Sequence, residues 1–463
     1  MKSFDGFSRI AFLASAVFLV FCAGLILAVL QLPPSGFVRD TIAVLKEEIR
    51  GPWLRDPKIV PRVYPGDGVT VHDAGATMDG LTLVQGMFEN GAAIRLYDMS
   101  GRLVREWPME FYEVWPHPTH VIPEKNLPKG KFNYHTQGLE VNPDGSIVVN
   151  FAEKGSAKFG ACGGVEWTLD RMTHHAISRN PDGSFWIPVK LDPAAIDPAD
   201  LIMGATVAGI MQTDNFYADA ALLVSPDGEI LREVPVLGPA IAWLAAHQDF
   251  GRFAAMKPAD LDPLHLNDVE EVNAALAAKI DGVEPGDLLL SLRNLNALAI
   301  ADPVSGEFKW MKSGPWIGQH DPDVMDDGTI EVFDNGLLRK IPGRDYAGSR
   351  ILSFDATTGE TRTVFPVSQD ETFFSWIMGT HQTLPNGNRL IAETARGRVF
   401  EIDPAGKIVW SLVLPSSAKT AALIESAIRI PDGTIPADVW QCNGSTAVAL
   451  TSGAGTAATE STQ

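Results

Sequence analysis

Five histidines in this chain open short alternating stretches that run into tight turns. His135 precedes Asn-Pro-Asp-Gly at 142–145, and His175 precedes the same four residues at 180–183. His320 precedes Asp-Asp-Gly at 326–328, a strand-like run and a second turn at Asp334-Asn335-Gly336. His381 precedes Pro-Asn-Gly at 385–387, and His265 begins His-Leu-Asn-Asp-Val-Glu with a longer insert before the stretch 287–292. Asn/Asp-Gly turns between alternating apolar runs are hairpin signals. A unit repeated in this way restricts the fold to architectures in which copies of one β unit bring their first residues together.

A second, closing hairpin recurs five times. Asp98-Met99-Ser100-Gly101 leads into an alternating run over 102–107, and similar turns recur at 226–228, 305–306, 358–359 and 404–406. With 42 Gly, 32 Pro and no Gly-X-Y period, the chain is rich in turns and poor in long helical patterns. Unit starts near 80, 135, 175, 265, 320 and 377 make six, at uneven spacings near those of propeller blades. The expected fold is therefore all-β: a six-bladed β-propeller over 80–435, closed by a last strand at 425–430. In a propeller the innermost strand of every blade lines the central channel, so recurrent histidines at strand starts converge on one mouth. A β-sandwich with inserted loops gives no reason for that recurrence. Two insertions interrupt the repeat, an Ala/Asp/Pro-rich one over 191–215 and a partly helical one over 241–260.

The flanks differ in kind. Residues 10–30 form an uncharged run of 21 residues, long enough to cross a bilayer core and longer than the apolar part of a cleaved signal peptide. Lys2 and Arg9 precede it, which places the N-terminus in the cytoplasm and the rest outside. The expected organisation is one transmembrane anchor over 1–32, a juxtamembrane linker over 33–79 with a short amphipathic helix at 41–50, the propeller, and a disordered tail over 436–463. A formal net charge of −20 argues against a nucleic-acid partner. Beyond Cys22 in the apolar run, Cys162 and Cys442 are the one possible disulfide pair, compatible with an oxidising compartment.

Several motifs resemble those of the bacterial arylsulfotransferase family. They are His-Leu-Asn-Asp-Val-Glu at 265–270, Ser-Leu-Arg-Asn-Leu-Asn-Ala-Leu at 291–298, Gly-Glu-Phe-Lys-Trp at 306–310 and the run 319–336. The runs 173–183 and 379–388 fit as well, so the resemblance covers about 80–435 in motif order. It implies a bacterial six-bladed propeller, which the span at 10–30 and its flanking charges would set in the inner membrane, facing the periplasm. It also implies transfer of a sulfuryl group from an aryl sulfate to a phenol through a sulfated histidine, with no nucleotide cofactor. By motif, the nucleophile falls on His320, the assisting histidine on His265, the arginine on Arg293, and the His-His motif on His174 and His175. The turn after His175 aligns with that after His320, which favours His175 as the catalytic member, with His174, His381 and His135 near the substrate. The chain departs from larger members in two ways: it has no room for a substantial N-terminal β domain, and Ala176 follows the His-His motif where an acidic residue is common.

These residue types suit that chemistry. Sulfuryl transfer, like phosphoryl transfer, needs in-line attack and stabilisation of charge on non-bridging oxygens. A neutral imidazole is a nucleophile near pH 7, arginine offers a planar donor fork, and a second imidazole can carry a proton between phenols. No metal is required. Trp310, Trp316, Phe373, Phe374 and Trp376 stand near the connections, where they face a phenolic ring or fill space between blades. Each group also has a plainer reading: His135 or His381 as a hydrogen-bonded structural residue, Arg293 as a blade-to-blade ion-pair partner. Asp321, Asp323, Asp326 and Asp327 look like a calcium loop, but their spacing fits a strand connection better. The competing functional classes are a membrane-anchored, non-catalytic propeller that binds a partner or glycan, and a metal-dependent propeller hydrolase.

Overall fold

The computed structural model describes residues 61–192, 218–249, 262–336, 348–368 and 373–442, with residues 15, 18, 19, 196 and 251. Within them, apolar runs become the inner and middle strands of six antiparallel sheets. Leu288–Leu292 and Ala297–Ala301 are buried at every position, whereas outer strands such as Ile230–Pro235 and Thr361–Phe365 are largely exposed. Middle strands are covered on both faces by neighbouring sheets, so they lack the polar alternation of a half-exposed strand.

Blade 1 orders Leu423–Pro431, Gly80–Phe88, Gly91–Tyr97 and Leu103–Pro108 from the axis outwards, and blade 2 orders Thr136–Val141, Ile147–Phe151, Gly155–Phe159 and Val165–Leu169. Blade 3 runs Ser178–Arg179, Phe185–Lys190, Asp219–Val224, Ile230–Pro235, with the short Met172–Thr173 also pairing Phe185–Lys190. Blade 4 runs Leu266–Glu271, Leu288–Leu292, Ala297–Ala301, Phe308–Ser313, and blade 5 runs His320–Val324, Ile330–Asp334, Arg350–Phe354, Thr361–Phe365. Blade 6 runs His381–Thr383, Arg389–Glu393, Arg398–Ile402, Ile408–Val413 and gains a fifth, outermost strand, Gly68–His72. Six buried clusters fill the six interfaces between adjacent blades. Between blades 5 and 6, Phe333, Phe365, Phe373 and Phe400 are fully buried, each contributing about 2–3 kcal/mol of apolar burial. Trp316 and Phe373 belong to these clusters and Trp310 packs against one, so of the five aromatic residues considered for the mouth those three fill space between blades.

The six-bladed all-β expectation holds, and its ends need correction. The ring is closed twice. Leu423–Pro431 supplies the inner strand of blade 1, as the stretch 425–430 predicted. Gly68–His72, expected in a linker ending at 79, instead pairs with Ile408–Val413, because its Gly-Val-Thr-Val-His alternation completes an otherwise open edge. The start of the 436–463 tail is also ordered: Ala437–Trp440 forms a 3₁₀ turn, Trp440 is buried beside Trp107, and Cys442 is bonded to Cys162 with Cα atoms 5.5 Å apart. In the insertion near 241, Leu237–Ala246 is an α-helix packed on the cluster between blades 3 and 4. Of the apolar run 10–30 only Ser15, Phe18 and Leu19 are described, as helical residues. The expected span and the helix at 41–50 lie outside the described residues; among those described, no helix is long and apolar enough to cross a membrane.

Candidate active site

The inner strands begin around a small cavity of about 50 Å³ and run from it along a larger one of about 1080 Å³. The small cavity is lined at the blade starts by Gln137, His175, Asn267, His320, Gly379 and Glu425. Counting eight residues back from the turn glycines Gly145, Gly183, Gly328, Gly387 and Gly433 reaches Gln137, His175, His320, Gly379 and Glu425. The repeat therefore does converge on one place, but only some of its histidines are in register. His135 lies two residues before Gln137 and is absent from both cavity linings. His381 lies two residues after Gly379 and faces the larger cavity. The expectation of five histidines at one end is corrected to His175, His265 and His320, with His174 directly behind.

Backbone strain collects at the same place. Among the described residues seven non-glycines have positive φ, and His175, His265, Asp321 and Met378 are four of them. Such conformations cost about 1–3 kcal/mol each and persist where surrounding contacts over-determine them. At His175 the contacts are visible: its N–H donates to Gln137 Oε1 at 2.9 Å, and its carbonyl accepts from Asn150 Nδ2 at 2.9 Å. Gly138 is needed opposite, because a Cβ there would run into the His175 carbonyl. At Gly379 a Cβ would enter the Phe333 ring, so blade 6 presents bare backbone to the cavity.

The imidazoles are held in defined tautomers. His320 Nδ1 lies 2.8 Å from Asn335 Oδ1 and 3.1 Å from Gly318 O, both acceptors. The Asn335 amide is oriented by donating Nδ2–H to Ser375 O and Met378 O at 2.8 and 2.6 Å. His320 Nδ1 therefore carries the proton and Nε2 keeps its lone pair. Burial, reinforced by the nearby Arg293 charge, pushes the His320 pKa down to about 3. His265 donates Nδ1–H to Asp262, and its Nε2 meets His175 Nε2 at 3.2 Å, a contact that needs one proton between two nitrogens. His175 Nδ1 in turn meets His174 Nδ1 at 2.9 Å, and His174 Nε2 faces Asp219 Oδ1 at 3.5 Å. Burial, then the neighbouring His265, His174, His320 and Arg293, hold His175 well below the usual imidazole range. The ring centroids of His175 lie 4.7 Å from His265 and 6.2 Å from His320.

Arg293 starts the turn Arg293–Leu295 and bonds Asn294 Oδ1 through Nη1 at 3.0 Å. Its Nε–H is buried and has no hydrogen-bond partner among the described residues, and burial lowers its pKa. Among the described residues Arg293 makes no ion pair between blades, the role its sequence also allowed; it is a cation with an unmet donor beside the imidazoles. Asn335, Asp262 and Gln137 escaped the sequence reading. Asn335 looked like turn punctuation, Asp262 lies before the motif, and Gln137 would have emerged from counting back from the glycines.

The family model for arylsulfotransferase (ASST) matches residues 138–414. No curated protein matches the chain. Among solved structures, a protein of unknown function from Bacteroides caccae is 14% identical, covering 75% of this chain and 98% of its own, with a TM-score of 0.48. A catalytically inactive virginiamycin B lyase from Staphylococcus aureus with quinupristin is 12% identical, covering 80% and 94%, with a TM-score of 0.38. TolB from Acinetobacter baumannii is 12% identical, covering 76% and 67%, with a TM-score of 0.38.

Proposed function

The chain belongs to the arylsulfotransferase family, and from that premise we propose that it moves a sulfuryl group from an aryl sulfate to a phenol through a sulfated His320. The observation that carries the reading is the pairing of a neutral His320, its Nε2 lone pair uncommitted, with the unmet Nε–H donor of Arg293. The Nε2 lone pair attacks sulfur, the S–O(aryl) bond breaks, and its electron pair leaves on the phenolate oxygen. Arg293 donates to the non-bridging oxygens, where charge gathers in the transition state. His265, held in orientation by Asp262, gives its Nε2 proton to the departing phenolate, passing from imidazolium to neutral imidazole, and recovers a proton from the incoming phenol. The acceptor oxygen then attacks sulfur, and the N–S bond breaks to restore neutral His320.

The same proposal sets the ring outside the cytoplasm on the anchor at 10–30, a location that the Cys162–Cys442 bond suits. External protease digestion of the soluble part in spheroplasts tests that placement.

Catalysis is tested by mixing the protein with a chromogenic aryl sulfate and no acceptor, then mapping any sulfuryl adduct by peptide mass. The expected adduct sits on His320, turnover depends on added phenol, and His320→Ala loses at least about 10³-fold in rate. An adduct elsewhere, or full activity in that variant, overturns the assignment. Absence of turnover with intact folding favours the non-catalytic binding propeller.

A further inference from the structure

Past the histidine cavity, the larger cavity carries Glu140, Asp268, Glu270, Asp321, Asp323 and Glu331 on its wall. Some of this charge is answered. Arg389 binds Glu331 through two nitrogens at 2.7 and 3.1 Å, and Arg179 acts on Glu140. The charges acting on Asp323 are those of His381, Asp321, Glu270 and Asp268, three of them like its own. Asp323 still opens about a third of its side chain, 35%, to the cavity.

His381 is the unusual member. Its side chain is fully buried, and its Nδ1 donates to Asp321 Oδ2 at 2.8 Å while its backbone N–H reaches the same oxygen at 2.5 Å. That leaves Nε2 aimed into the carboxylates with no hydrogen-bond partner among the described residues, 3.4 Å from Asp323 Oδ2 and 3.8 Å from Glu331 Oε2. A ring nitrogen facing carboxylate oxygens calls for a positive charge between them, either a proton on the imidazole or a bound cation. Metal bonds of about 2.0–2.3 Å place neighbouring ligand atoms about 3–3.8 Å apart, which is the separation found. An imidazole whose other N–H is held by a carboxylate is also how proteins orient metal-binding histidines.

We propose that Asp321, Asp323 and His381 form a divalent-cation site on the channel wall, with His381 Nε2 and Asp323 as ligands. Asp321 orients the imidazole, and the candidate ligand atoms of the three residues lie within 4.8 Å of one another. The site joins blades 5 and 6 and begins at the residue that follows His320 on its strand. It differs from the calcium loop suggested by the aspartates alone: Asp326 and Asp327 sit in the hairpin turn, while the third member comes from the next blade. A mixed oxygen and imidazole donor set without thiolate suits manganese-like cations. The proposal does not depend on the sulfuryl-transfer reading.

The test uses the whole purified protein, stripped with chelator and titrated with Mn²⁺, with free Mn²⁺ followed by electron paramagnetic resonance and Tm recorded alongside. One Mn²⁺ per chain is expected to bind saturably and raise Tm. Asp323→Asn and His381→Gln should each weaken binding by at least about tenfold, while Asp326→Asn in the exposed turn leaves it unchanged. No saturable binding below about 1 mM in the wild-type protein overturns the proposal and makes His381 a plain imidazolium partner. Binding that follows Asp326 instead overturns it in favour of a turn site.

Discussion

At the scale of single residues, the site works by fixing protons. Asn335 holds the Nδ1 proton of His320 and thereby leaves the lone pair on Nε2. Asn335→Leu should lower kcat by about 10–100-fold, by analogy with lost orienting partners elsewhere, with little change in donor KM. Single-turnover rates of adduct formation measure this directly. His175 makes a different prediction. Its folded pKa lies well below the usual imidazole value because burial, and then the neighbouring imidazoles and Arg293, disfavour the charged form. Below the unfolded value of about 6.5, the unfolded chain binds this proton and the native one does not, so acid favours unfolding. Stability should therefore fall as pH drops from about 6.5 toward the depressed folded pKa. His175→Gln should flatten that decline, read as Tm at pH values on either side.

At the scale of elements, the strands that close the ring matter most, because loss of one closure opens an edge. Arg429 on the inner strand of blade 1 and Glu401 on blade 6 form an ion pair at 3.1 Å with both side chains fully buried. Arg429 also donates through Nε to Thr82 Oγ1 at 3.0 Å and lies 4.8 Å from the Trp410 ring centroid. Glu401 accepts from Met78 N–H and Asn388 Nδ2 at 2.8 and 2.6 Å. Arg429→Met would strand the Glu401 carboxylate, so a loss of about 3–5 kcal/mol in urea unfolding is expected. Removing both charges, Arg429→Met with Glu401→Leu, should recover much of that loss. The hairpin elements were readable from Gly-containing turns, whereas the strand Gly68–His72 was not: its partner lies more than 300 residues away.

At the scale of the whole molecule, a net charge of −20 opposes an anionic substrate. Added salt should therefore raise kcat/KM for an aryl sulfate by screening repulsion beyond the Debye length of about 8–10 Å. A fall with salt would show that the Arg293 field governs encounter. By itself the sequence determined the six β units and their common orientation, since turn chemistry and strand alternation are local, and its motifs at His265, Arg293 and His320 carried the family resemblance. Only the tertiary structure decided which repeat positions meet. His135 and His381 stand two residues out of register with His175 and His320, and a two-residue shift along a channel strand keeps the side chain on the same face while moving it about 6–7 Å along the wall. Tautomers, the unmet Arg293 donor and the pairing of His381 with Asp321 likewise depend on blades touching across long sequence separations, which no local pattern encodes.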